Sequence, residues 1–117
     1  MTYNASVNQI TDTLNDIARI DDLAATGGFP NFDGDLIAPI LDEANKLARD
    51  VLSPLNPIGH KHGVKLTDAG VISAPGFSDA YARFRQGGWM GLAFPEEFGG
   101  QGLPKTMALA VMEMMHA

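Results

Sequence analysis

The stretch Gly87-Gly88-Trp89-Met90-Gly91-Leu92-Ala93-Phe94-Pro95-Glu96-Glu97-Phe98-Gly99-Gly100-Gln101-Gly102-Leu103-Pro104 decides how this chain folds. It holds the single Trp, two Phe, two Pro and six Gly, between two segments whose apolar residues recur with a helix's period. Glycine lets a backbone turn tightly and take positive φ without a Cβ clash. Large apolar side chains between such turns are costly to leave in water, so the sequence predicts that Trp89, Phe94 and Phe98 pack inward. Connecting segments are ordinarily polar and superficial. Two readings therefore stand: a wedge whose glycines only permit close packing, or a fixed loop beside a site.

Working outward, Pro104 suits the first position of a helix, where a missing N–H costs nothing. Met107, Ala108, Val111, Met114 and Met115 then share one side. No glycine, proline or cap precedes His116-Ala117, so the sequence predicts a last helix cut in mid-course and a chain that is part of a longer protein. On the other flank, Pro75-Gly76 introduces a short helix with Phe77, Ala80, Tyr81 and Phe84 on its inner face, closed by Gly87-Gly88.

Further back, Leu36, Ile37, Ile40, Leu41, Ala44, Leu47, Ala48, Val51 and Leu52 form a broad apolar stripe, the clearest helix in the chain. Asp33 or Asp35 can cap it, Pro39 falls harmlessly in its first turn, and Ser53-Pro54 is expected to stop it. Asp42, Glu43, Lys46, Arg49 and Asp50 read as its solvated face. Ser6 and Gln9 have capping-box spacing ahead of Val7, Ile10, Leu14 and Ile17, which predicts an N-terminal helix extending or restarting through Ile20 and Leu23 up to Gly27-Gly28. Residues 1–5 carry no pattern and are expected along the surface. Between Leu55 and Gly76 the helical period disappears. There Val64-Lys65-Leu66 and Val71-Ile72-Ser73, joined across Thr67-Asp68-Ala69-Gly70, predict a small hairpin that leans on the helices.

These elements predict a mostly α fold: a small bundle of four or five helices with a short β-hairpin. Residues 1–30 form an N-terminal extension helix, and residues 31–117 the helical domain proper. At 117 residues the chain is one domain, with 45% apolar and 19% charged residues, as expected of a globular protein. The formal charge of −6 argues against a nucleic-acid surface. The absence of cysteine excludes disulfides, thiolate catalysis and cysteine-based zinc sites, and suits a cytoplasmic address. No apolar run approaches a membrane span, and no signal peptide is evident.

The residues hold no complete catalytic set. Gly99-Gly100-Gln101-Gly102 ahead of a helix lacks the spacing and the preceding strand of a dinucleotide fingerprint. Lys105-Thr106 mimics the end of a phosphate loop, but Pro104 stands where glycine is required. No serine sits in a nucleophile elbow. His60 and His62 lack a nearby acidic partner and read as an exposed pair. Glu113 and His116 have the i, i+3 spacing of di-metal carboxylate bundles, but such a site needs a second pair and further inward glutamates. A solvent-facing Glu and a His near the end of the helix are the simpler reading, and no metal site is assigned. A free-standing interaction module, docking a partner through its methionine-rich helix, is the other alternative.

The order Pro54-Leu55-Asn56, Pro75-Gly76-Phe77 with Ala80-Tyr81, Gly88-Trp89 and Phe98-Gly99-Gly100-Gln101-Gly102-Leu103-Pro104 resembles the amino-terminal helical domain of acyl-CoA dehydrogenases. The branch with an extra amino-terminal extension, which includes 3-methylthiopropanoyl-CoA dehydrogenases, is most similar. His60-Lys61-His62 departs from the pattern, where members often carry an acidic residue after glycine. The resemblance implies an FAD-dependent oxidoreductase of fatty acid metabolism, a homo-oligomer that takes an acyl-CoA and passes electrons to an acceptor. It implies that catalytic base and flavin contacts come from a middle β-domain and a carboxy-terminal helical domain beyond Ala117, so that this chain alone is inactive and does not hold FAD. It also implies that Leu103 and Met107 lie beside the acyl tunnel, as substrate-binding residues.

Overall fold

The computed structural model describes residues 3–117. The stripe of residues 36–52 forms α3 (Ile37–Leu47), entered through a 3-10 turn at Gly34–Leu36 and leaving through a wider π-turn at Ala48–Leu52. The Asp33 carboxylate accepts from the Asp35 N–H at 2.9 Å, satisfying one of the donors a helix start leaves free. Ile37, Leu41, Ala44 and Ala48 of this segment are buried, and α3 packs against both α1 (Val7–Asp12) and α6 (Lys105–His116). The core is this contact, filled from α6 by Met107, Ala110, Val111 and Met114.

The N-terminal helix breaks in two. After α1 and a π-turn at Thr13–Ile17, Arg19 takes φ 51°, and α2 (Ile20–Ala25) starts afresh. That kink leaves Ile17 exposed, although it falls on the predicted stripe. Ser6 stands at the helix start but makes no side-chain cap bond. Residues 3–5 do not lie loosely on the surface. Ala5 is buried with its N–H donating to Asn45 Oδ1 at 2.8 Å, the Tyr3 N–H donates to Ser53 Oγ at 3.2 Å, and Asn45 Nδ2 donates to Asn4 Oδ1 at 2.9 Å. The remainder of that expectation, Met1 and Thr2, lies outside the described residues. Asn45 is the one buried polar side chain among the described residues, and its bonds fasten the leading strand to α3. Asn45→Ala leaves the buried Ala5 N–H without a partner. It should cost about 1–3 kcal/mol in a urea titration and open residues 3–6 to proteolysis.

Ser53-Pro54 does not stop the chain's helical course. Both residues keep helical angles, and α4 (Leu55–His62) follows at once, a helix where the sequence shows no period. Pro57 lies within its first turn, where no N–H is needed, and Gly63 (φ 61°) ends it. The hairpin forms with Lys65 opposite Ile72, Leu66 opposite Val71 and Thr67 opposite Gly70, as β1 (Lys65–Thr67) and β2 (Gly70–Ile72) around Asp68-Ala69. It does not lean on the helices: Val64, Val71 and Ile72 are exposed and Leu66 is 84% exposed. Three-residue strands place one apolar cross-strand pair, Leu66 with Val71, on one face and a lone Ile72 on the other, too little to dock either side.

Helix α5 (Phe77–Gln86) sits at the edge. Of its predicted inner face only Ala80 is buried, while Phe77 is partly and Tyr81 more than half exposed. Pro104 occupies the cap position just before α6 instead of its first turn. The molecule measures 54 × 36 × 17 Å with a radius of gyration of 16.5 Å, against about 13 Å for a compact domain of this length. A 17 Å thickness leaves less than two helix diameters, so many apolar side chains have a neighbour on one side only.

Candidate functional site

Between α5 and α6 the glycine-rich stretch closes into a self-bonded loop. Gly88 (φ 74°) turns the chain out of α5 into a 3-10 turn at Trp89–Gly91. The two arms then bond across: Gln101 N–H to Gly91 O, Gly102 N–H to Phe94 O and Leu103 N–H to Leu92 O, each at 2.9 Å. At the tip, Gly99 and Gly100 N–H groups donate to Glu96 O and Pro95 O at 2.9 and 3.1 Å. The Asn31 amide donates to the Glu96 carboxylate and ties the tip to the 29–32 segment.

Only part of the loop faces inward. Leu92, Leu103 and Pro104 are buried and Trp89 packs half-buried against the core. Phe94 and Phe98 point out, Phe98 being 77% exposed, and Met90 is also exposed. The expectation that all three aromatics pack inward is thus corrected. With every turn already occupied by a backbone bond, the tight arms leave no interior for a phenyl ring, and the anchoring falls to Leu92 and Leu103. The loop is closed by its own backbone bonds and exposes large apolar side chains.

Leu103 and Met107 sit where this loop meets α6. Met107 is fully buried in the α3–α6 core. Leu103 is buried too, but it edges onto a surface depression of about 310 Å³ shared with Phe29, Pro30, Ala93 and Pro95. Both hold the start of α6 in place from behind.

A larger hollow, about 430 Å³, runs between α1 and the adjoining face of α6. Ile10, Leu14, Leu109 and Ala110 supply apolar walls, and Gln9, Thr13, Thr106 and Glu113 the polar ones. Burial and then the negative charge of Glu113 push the Tyr3 phenol upward. Sequence reasoning missed this groove. Its signal was present: Thr106, Leu109, Ala110 and Glu113 recur at i, i+3, i+4 and i+7, a second stripe beside the core stripe. His116, weighed with Glu113 as a metal pair, contacts its own helix instead, with Nδ1 2.8 Å from Met112 O. Among the described residues no group of three or more His, Cys, Asp or Glu stands close enough to hold a metal ion. None of the described helices is long and apolar enough to cross a membrane.

A helical lobe built on an α3–α6 core, with a glycine-locked loop leading into α6, defines a recognisable class. The family model described as acyl-CoA dehydrogenase, N-terminal domain, matches residues 40–117, and the chain belongs to that family. Over its whole length it is 29% identical to the 3-methylmercaptopropionyl-CoA dehydrogenase of Ruegeria pomeroyi (strain ATCC 700808 / DSM 15171 / DSS-3). The chain spans 20% of that relative's length.

Proposed function

We propose that the chain is the amino-terminal helical lobe of an FAD-dependent acyl-CoA dehydrogenase. The enzyme converts an acyl-CoA thioester to the 2,3-enoyl-CoA, with an electron acceptor as second partner. The observation that carries this reading is the coincidence of the family match, residues 40–117, with the segment holding most of α3, the locked loop and α6. The reaction needs a base at the α-carbon, a hydride acceptor at the β-carbon and exclusion of water. FAD supplies the hydride acceptor when bound. The groove between α1 and α6 does not fit it: 430 Å³ lined by the Glu113 carboxylate, without Lys, Arg or His, offers nothing to a dinucleotide's diphosphate. On this reading the base and most flavin contacts belong to other domains of the enzyme.

This chain's own part is to form a wall. The loop bonds fix Leu103, Leu103 and Met107 fix the first turns of α6, and the outward Met90, Phe94 and Phe98 meet the flavoprotein body. The same reading makes Leu103 and Met107 substrate-binding residues, shaping the acyl tunnel through the position of α6. It also makes the enzyme a cytoplasmic homo-oligomer. The test is acyl-CoA-dependent reduction of a dye acceptor by the whole enzyme that carries this lobe, across short, medium and long thioesters. Turnover is expected, with Met107→Ala moving the chain-length preference, and none from the 117-residue chain alone. Failure of the FAD-loaded enzyme to oxidise any acyl-CoA would sink the reading.

A further inference from the structure

The hollow between α1 and α6 is lined by neither the locked loop nor the Leu103–Met107 pair, so the reading above leaves it without a role. It is open along one side, and its walls are mainly apolar, with Ile10 and Leu14 from the N-terminal segment facing Leu109 and Ala110 of α6. Leu109 is 72% exposed, so apolar surface along the hollow stands in water and gains by being covered. The α1 flank ends in the π-turn at Thr13–Ile17, and such widened turns recur at functional sites.

Its charge is one-sided. Among the described residues Glu113 is the one formally charged side chain in the lining, which holds no Lys, Arg or His. Glu113 also lies in the last turn of α6, where unpaired carbonyls leave partial negative charge and favour cations. The remaining polar side chains there, from Tyr3, Asn4, Ser6, Gln9, Thr13 and Thr106, are neutral and can accept hydrogen bonds.

We propose that this groove binds a small molecule with an aliphatic body and a protonated amine head. The body lies along Ile10, Leu14 and Leu109, and the head is at Glu113. A carboxylate or phosphate on the same body is repelled by the same field. The site is separate from the acyl-CoA chemistry and does not rest on it.

Calorimetric titration of the full chain with hexylammonium, hexan-1-ol and hexanoate at low ionic strength tests this. The three share a tail and differ in head charge, so binding to a generic apolar patch treats them alike. Hexylammonium is expected to bind at least tenfold more tightly than hexanoate, about 1.4 kcal/mol, with hexan-1-ol between them. Glu113→Gln should remove most of that spread, leaving only what the helix end contributes, with hexan-1-ol unchanged. Leu109→Trp, at an exposed helix position that tolerates bulk, should fill the groove and weaken all three by about tenfold or more. Equal affinities in the wild-type chain, affinities indifferent to Leu109→Trp, or no saturable binding by hexylammonium would overturn the proposal.

Discussion

Gly100→Ala should lower the urea midpoint of unfolding more than alanine at any other glycine of the loop. A Cβ at Gly100 would stand 2.1 Å from the Phe94 carbonyl oxygen and 2.4 Å from its carbon, well inside contact distance. The obstacle is backbone, and it is held: that same carbonyl accepts the Gly102 N–H at 2.9 Å, and Gly100 itself donates to Pro95 O. Relief requires breaking at least one of these bonds and shifting both arms. Overpacking of about 1–3 kcal/mol plus a lost hydrogen bond of about 1 kcal/mol gives a loss on the order of 3 kcal/mol. Gly99→Ala is the comparison. Its φ of +84° strains a side chain, but no atom lies within 4 Å, so about 1–2 kcal/mol is expected. The ordering separates a glycine kept for space from one kept for conformation. Equal losses at the two positions would mean that the arms are not bonded as described. On the proposed reading a loosened loop would also free Leu103 and the start of α6, so Gly100→Ala should impair the whole enzyme's turnover more than its loss of stability alone.

What could be read from the residues follows a physical division. Helix α3 was legible because nine apolar residues repeat on one face, and that period exists whatever else is nearby. The loop was legible as a tightly turned piece, since Gly88, Gly99 and Gly102 do take positive φ. Its inward and outward faces were not legible, because an aromatic's burial depends on whether a second layer exists, and here the lobe is 17 Å thick. Helix α4 was hidden by Pro57 and Gly59, which read as breakers unless the helix start is already known. Nothing local could signal the anchoring of Tyr3 and Ala5, because their partners Ser53 and Asn45 lie 50 and 40 residues away. The groove between α1 and α6 shows the same limit. Its α6 stripe is periodic, but a stripe becomes a wall only when another element stands opposite.

Leu41→Ala should be the other large loss, and its contrast with Leu47→Ala locates the core. Both leucines lie on the apolar stripe of α3, and periodicity ranks them alike. In the fold Leu41 is 0% exposed, on the helix that α1 and α6 flank, while Leu47 is half-buried beside Trp89 and the rim of a surface cleft. Truncating a fully buried leucine removes its transfer free energy and leaves a void that close-packed neighbours fill only partly, at about 3–4 kcal/mol. At Leu47 water can enter the space, so the loss should fall to about 1 kcal/mol. With a urea slope of about 1–3 kcal/mol per molar for a domain of this size, the two variants separate by about a molar in midpoint or more. Membership of the core sharpens the contrast, because Leu41 belongs to the same buried cluster as Met107 of α6. Loss at Leu41 should therefore spread to the α6 amides in hydrogen exchange, whereas Leu47→Ala leaves them protected. Similar midpoints for the two, or α6 protection untouched by Leu41→Ala, would show that the lobe is not organised on that contact.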